Sequence, residues 1–449
     1  MKICFIPIDN RPVCYTLAKD ITAVDGNIEL FIPPREFLGD LTKTANIDGL
    51  LNWLKNVPEC DSIILSLDTI AYGGLIPSRR GQESFEEIKS RIYNLKQILE
   101  EKNAKIYAFS SIMRISNNNF NEEEKEYWAH YGKKIFEYSY NTHKYGHANT
   151  TEIPQDIIND YLQTRKRNFE INKIYLDWQK DGFFDTLVFS KDDCAEYGMN
   201  VIEAQELENM GGFTKTGADE IPLTLLARSI KKDINVFIEY TEPDCTDLIS
   251  NYEDVSIEKS VQGQLELGGF KHIDDINEAD IVLIVNNFRE KQGELVMNWD
   301  TKDKYNGSFI VPNKPFAVAD VRYANGADNV FVDELLKSFN KNNICSFLGY
   351  AGWNTSANTL GSLLAGVKVA YKAEKYNKNA FKKLQITRFL DDWAYQANIR
   401  KQINEPCDIK DLMKPYAEIL STIFGYKFKI SKPDYIYPWG RKFETEILL

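Results

Sequence analysis

SIILSLDTIAYGG, residues 62–74, decides how this chain is built. The apolar run at its head is too short for a stable helix and too apolar for a surface loop, so it predicts a short buried strand. It ends at Asp68, and Gly73 and Gly74 follow, residues that let the backbone turn tightly or approach a ligand closely. The pattern recurs in KICFIPI, IELFIP, KIYAFSS, TLVFS, NVFIEY, DIVLIVNN, FAVAD and ICSFLGY. Longer amphipathic stretches such as FEEIKSRIYNLKQILEEK and LTLLARSIKK separate these runs. Strands alternating with helices predict an α/β protein on a parallel sheet. About eight or nine such units predict a (β/α)8 TIM-like barrel, irregular in places, with a doubly wound parallel sheet as the alternative.

Two long helical patterns between about 121 and 181 read as an insertion before TLVFS. The expected organisation is a barrel-like catalytic domain over 1–361 and a C-terminal helical extension with a short tail over 362–449. Lys and Arg number 54 against 66 Asp and Glu, a net charge of -12 with no basic stripe, which argues against nucleic acid as a partner. The seven cysteines (4, 14, 60, 194, 245, 345 and 407) are scattered and show no CxxC, as expected of reduced thiols in a cytoplasmic protein. The amino terminus, MKICFIPIDNRP, has too short an apolar run for a signal peptide. No stretch approaches the ~20 apolar residues of a membrane helix.

Several chemistries lack their motifs. GxGxxG, GxxxxGK[ST] and GxSxG are absent, and only four histidines are present (His130, His143, His147, His272), with no HExxH. His143 and His147 read as a solvated helix end, and no cofactor is expected. What the sequence does offer is a polar residue set at the end of strand after strand. Asp9, Asn10 and Arg11 follow the first run; Asp68, Tyr72 and Gly73 follow SIILSL; Arg114 follows KIYAFSS; Asp192 and Asp193 follow TLVFS. Glu239 ends NVFIE, Asn286 and Asn287 end DIVLIV, Asp320 and Arg322 follow FAVA, and Trp353 and Asn354 follow FLGYAG. Asp219 and Glu220 close GADE, where Asp219 is equally suited to capping a helix. In parallel α/β folds the carboxyl ends of the strands form one rim, and that rim carries the active site. Asp9, Asp68, Asp192 and Asp320 are also the oxygen ligands that a Mg²⁺ ion would choose. Cys194 has no cationic neighbour in sequence and reads as structural.

The ordered set PIDNRP, SLDTIAYGGLIPSR, SSIMR, SKDDCAEYG, GADE, GWNTSANTLG and PWGRKFE resembles, over essentially the whole chain, a bacterial family catalogued as a domain of unknown function. A second resemblance is local. The touching acids Asp192 and Asp193 at a strand end look like the catalytic pair of substrate-assisted N-acetyl-β-glucosaminidases, the O-GlcNAcase-like enzymes. Asp274-Asp275 lies in a polar loop, and Asp391-Asp392 lies on a predicted helix whose default is a solvated face. The resemblance implies that Asp192 holds the acetamido N–H of a sugar while Asp193 protonates the leaving oxygen. It further implies that Arg11, Asn354 and Asp320 bind hydroxyls, that Trp353 is a stacking surface and that Tyr72 supports an oxazoline-like intermediate. A conventional glycosidase would pair Asp193 with Glu220, Glu239 or Asp320. The leading expectation is therefore a glycoside hydrolase acting on a small, N-acetylhexosamine-containing carbohydrate. A divalent-metal lyase, isomerase or hydrolase and a non-catalytic sugar-binding protein are the alternatives, and homo-oligomerisation is left open.

Overall fold

The computed structural model describes residues 1–148, 151–301, 304–340 and 343–449. All nine apolar runs form strands, and the class is α/β. In chain order these are β1 (Lys2–Ile6), β2 (Glu29–Phe31), β3 (Ser62–Ser66), β4 (Lys105–Ile112) and β5 (Thr186–Lys191), followed by a short edge strand, β6 (Thr214–Thr216). Next come β7 (Asn235–Tyr240), β8 (Lys271–His272), β9 (Ile281–Asn286), β10 (Gly293–Glu294), β11 (Phe316–Asp320), β12 (Tyr323–Ala324) and β13 (Phe347–Ala351). An antiparallel pair, β14 (Asp434–Ile436) and β15 (Glu446–Leu448), ends the chain.

The strands build two open parallel sheets in place of one closed barrel. The first runs β2-β1-β3-β4-β5-β6, the second β13-β11-β9-β7-β8. In each, the opening strand is flanked on one side by the next strand in sequence and on the other by the one after that. A (β/α)8 barrel needs strands paired in unbroken chain order, so this reversal excludes closure and leaves the doubly wound arrangement. Local sequence does not separate the two outcomes, because a buried parallel strand looks the same in either.

Two compact units carry these sheets. The first comprises Met1–Tyr15, Glu29–Pro222 and Tyr252–Asp254; the second comprises Thr16–Ile28, Leu223–Asn251 and Val255–Leu449. The expected helical insertion appears in the first unit as Trp128–Tyr145 and Gln155–Lys180. Helices Ser356–Ala370, Lys378–Arg388 and Lys410–Phe424 and a π-helical segment, Phe389–Ile399, follow the second sheet. Among the described residues no helix is long and apolar enough to cross a membrane.

Burial of β3 on both faces explains its unbroken apolar run: Ile63, Ile64 and Leu65 are all buried. Register then aligns the exits from the sheet. Ile6 pairs with Leu65, Ser66 with Phe109, Ile112 with Lys191 and Lys191 with Thr216, so the segments leaving β1, β3, β4, β5 and β6 emerge along one edge. Helix Phe85–Glu100, which packs with Gln155–Lys180, starts on a reciprocal capping box between Ser84 and Glu87, worth about 1 kcal/mol.

Two glycines at positive φ test how tightly the first unit is built. Gly217, just past β6, has φ +110°, and a β-carbon there would overlap the Glu220 carboxyl group. Gly182, at the end of helix Gln155–Lys180, has φ +78° and open space around it. Gly182→Ala should cost about 1 kcal/mol, the left-handed backbone penalty alone. Gly217→Ala should cost about 3 kcal/mol or more, since a buried side chain must also move. The midpoints of urea denaturation of the two variants would show the difference.

Candidate functional site

β4 and β5 lie side by side, and their exits place Arg114 against Asp192 and Asp193. Arg114 donates from Nη1 to Asp193 Oδ2 (2.8 Å), from Nη2 to Glu123 Oε2 (2.9 Å) and from Nε to Glu124 Oε1 (3.1 Å). Its Nη1 also lies 3.5 Å from Asp192 Oδ2. A second guanidinium, Arg79, comes from the short helix Leu75–Arg80 and is fully buried. Its Nη1 meets Asp192 Oδ2 at 3.3 Å. Arg79 Nε and Nη2 make no hydrogen bond and sit 3.5 Å from Glu124 and Glu123. Four carboxylates thus surround two guanidinium groups. Asp193 is the most open of the six side chains, 35 % exposed against 15 % for Asp192, and it holds a positive φ of +42°. A non-glycine residue in that region stores strain, which persists only where neighbours fix it.

The loop beyond the pair is pinned as well. His143 Nδ1 accepts from the Gly198 N–H at 3.0 Å, and Ser139 Oγ accepts from the Met199 N–H at 2.8 Å. Helix Trp128–Tyr145 therefore anchors this loop, and His143 is an acceptor there rather than an idle residue at a solvated helix end. Cys194 is buried, its thiol pushed up by burial, and accepts from Asn200, consistent with a structural role.

Burial and the neighbouring charge of Asp192 push Asp193 up to about 7, against the opposing pull of Arg114. Burial alone would weaken the charge on Arg114, but Asp193, Glu123, Asp192 and Glu124 hold its affinity for the proton well above the usual value. Asp193 therefore carries a proton over a large part of the neutral range beside two fixed cations. A group so placed can donate a proton to a leaving atom and take it back.

The other expected residues of the first unit have different work. Arg11 is buried and saturated. It donates through Nε and Nη2 to Asp9 Oδ2 (2.9 and 2.7 Å) and through Nη1 and Nη2 to Asp219 Oδ2 and Oδ1 (3.0 and 2.5 Å). It is a clamp between the β1 exit and the GADE loop, and Asp219 faces Arg11 rather than capping a helix. Among the described residues, ligand atoms of Asp9, Cys14 and Asp219 lie within 4.8 Å of one another. The Arg11 guanidinium already supplies the positive charge between the two carboxylates, so the grouping does not fit a metal ion. Asp68 is buried, accepts from Ser111 N–H (2.7 Å) and Ser110 Oγ (3.3 Å), and is pushed by burial up to about 6. Tyr72 is a core residue with the Arg167 guanidinium 5.5 Å from its ring centre. Gly73, at φ +87°, packs its backbone on Thr44 and Ala45. Asn10 ties main chain to main chain, donating to Gly39 O and accepting from Arg35 Nε. Glu220 is wholly buried and pushed up to about 8 by burial first, then by Asp219 and Glu253.

Asp320, Arg322, Trp353, Asn354 and Glu239 belong to the second unit. Asp320 is buried and takes hydrogen bonds from Asn286 Nδ2 (2.8 Å), the Asp328 N–H (2.7 Å) and Tyr350 Oη (3.2 Å). Arg322 is buried and donates to Glu242 Oε1 (2.9 Å). Trp353 is 2 % exposed, which leaves no open face for stacking. Asn354, at φ +70°, accepts at its carbonyl from Asn325 N–H. Asp392 is no solvated helix residue: it is fully buried and bonded to Arg388 (2.8 Å) and the Gly352 N–H (2.7 Å). The expected rim is thus two sets, one on each sheet. Within the first set, Arg114, Asp192 and Asp193 meet directly. Arg79, Glu123 and Glu124, which complete their surroundings, were missed in the sequence. Arg79 hides in the LIPSRR helix, and the glutamates fall at the start of the two long helical patterns read as an insertion.

Over residues 3–447 the chain matches a family described as "Protein of unknown function (DUF4127)", and it belongs to that family. No curated protein and no solved structure matches it.

Glu220 offers a test of the buried electrostatics. Unfolded, it loses its proton near the ordinary 4.5; folded, near 8. The folded state therefore binds the extra proton between these values, and stability falls as pH rises through that window. Glu220→Gln removes the titration. The thermal midpoint of the variant relative to wild type should climb from pH 5 to pH 8 and level off above.

Proposed function

We propose that the first unit is the catalytic body of a glycoside hydrolase, with Asp193 as general acid and base and Asp192 as its charged partner. What supports this reading most is the contrast within the pair. Asp193 is pushed up to about 7 and is only part-exposed, whereas Asp192 faces two arginines. Acetal cleavage uses two neighbouring carboxyl groups whose surroundings differ in this way.

In the finer version, the substrate carries an N-acetylhexosamine. The described contacts of Asp192 fall on Oδ2, which leaves Oδ1 for the acetamido N–H. The acetamido oxygen attacks the anomeric carbon as the glycosidic C–O bond breaks, and the proton of Asp193 passes to the departing oxygen. Water then opens the oxazoline-like intermediate, and its proton returns to Asp193. Arg114 and Arg79 hold Asp192 in place throughout, and Glu123, beside Arg114, is the nearest alternative for a second carboxylate.

A panel of 4-nitrophenyl glycosides tests this. Wild type should cleave an N-acetylhexosaminide, with activity unaffected by EDTA and falling as pH rises through about 7. Asp193→Asn should lose about 100-fold or more in kcat. The loss should shrink with 2,4-dinitrophenyl substrates, whose leaving group needs no proton. Cleavage of sugars lacking the acetamido group would replace the substrate's amide by Glu123 or Asp192 as nucleophile. Undiminished turnover in Asp193→Asn would remove Asp193 from the chemistry, and binding without turnover would make the protein a sugar-binding one.

A further inference from the structure

We infer that residues Tyr252–Asp254 are a strap that positions the Asp192–Asp193 pair, with Asp254 acting through Lys191; this rests on the pair being the acid–base group of the reaction proposed above. The three residues belong to the first unit although their chain neighbours on both sides, Asn251 and Val255, belong to the second. They bracket the pair. On its amino side, Asp254 Oδ2 receives Lys191 Nζ at 2.5 Å, and both side chains are more than nine-tenths buried. The other oxygen of Asp254 accepts from Thr216 Oγ1 at 2.7 Å, on the neighbouring strand β6. On the carboxyl side of the pair, the carbonyl of Tyr252 accepts from the Cys194 N–H at 3.0 Å. The residues immediately before and after the two acids are therefore both tied to one short segment.

This segment is itself held in a costly shape, since Tyr252 has φ +67°. A buried ion pair contributes little net stability, because both charges give up their hydration. It fixes position well, however, since a misplaced partner leaves a charge unpaired. Here it defines where β5 ends and so where the chain turns into the left-handed Asp193. It also keeps the Lys191 ammonium on Asp254, so the cations facing the acid pair are those of Arg114 and Arg79. Asp192 on the same segment, Arg114 beyond β4, Arg79 on its helix and Glu123 ahead of helix Trp128–Tyr145 are the charged groups around Asp193. Lys191, Asp254, Asp192 and Asp193 all act on Cys194, so the strap and the pair share one electrostatic neighbourhood.

The test uses the full chain labelled with ¹³C at aspartate carboxyl groups, the Asp193 signal being assigned by its loss in Asp193→Asn. Asp254→Ala should lower the titration midpoint of Asp193 by about 1 pH unit, as the turn relaxes and the freed ammonium approaches. Asp254→Glu, which keeps a carboxylate oxygen for each of Thr216 and Lys191 and the charge that pairs the ammonium, should stay close to wild type. If Asp254→Ala does not fold, Lys191→Met carries the test with the opposite sign: with the ammonium gone and Asp254 left charged, the Asp193 midpoint should rise, and an unchanged midpoint overturns the strap. With any nitrophenyl glycoside that wild type cleaves, Asp254→Ala should lose about tenfold in kcat at unchanged KM. An unchanged Asp193 midpoint in folded Asp254→Ala overturns the strap, as does a shift in Asp254→Glu equal to that in Asp254→Ala. If wild type cleaves no glycoside, the glycosidase reading falls, and the titration alone decides the strap.

Discussion

The crowding of Glu123, Glu124, Asp192 and Asp193 around Arg79 and Arg114 is the constraint on which the rest of the first unit's edge depends. Four carboxylates against two guanidinium groups leave an excess of negative charge where water is scarce. Such an excess is relieved by keeping a proton, and at Asp193 burial and the neighbouring charge of Asp192 favour that proton. Arginine suits this task better than lysine, because a planar fork can serve several acceptors in fixed directions. Arg114 does so, reaching three carboxylates through three different nitrogens.

The same chemistry serves a different end at the β1 exit. Arg11, just beyond the strand at which the order of the first sheet reverses, donates to Asp9 and Asp219. In open α/β sheets the crevice at such a reversal is the usual ligand position. Here Asp9, Arg11 and Asp219 bond to one another, and the Asp192–Asp193 pair stands further along the edge, beyond β4 and β5. The second sheet repeats the strand order of the first, and the corresponding exits there, carrying Glu242, Asn286, Asp320 and Arg322, are likewise bonded to one another.

Strands were legible because burial on both faces writes an unmistakable apolar run, as at residues 62–67. The touching acids at 192–193 stood out because nothing structural asks for them at a strand end. The choice between barrel and open sheets was not legible, since it depends on which strands pair, and pairing partners leave no mark on a single run. Asp68, Tyr72 and Trp353 look like ligand groups in one dimension, because only packing reveals that Ser110 and Ser111, Arg167 or the core already occupy them. Arg79 and the two glutamates failed for the opposite reason: their neighbours in sequence are charged and helical, and only the fold turns them inward.

One further consequence lies in how the chain is shared out. It passes from one unit to the other after residues 15, 28, 222, 251 and 254. No single cut, anywhere along it, releases either unit with all its parts. A contiguous gene fragment therefore encodes neither unit whole. The family's match to residues 3–447 spans the segments of both units.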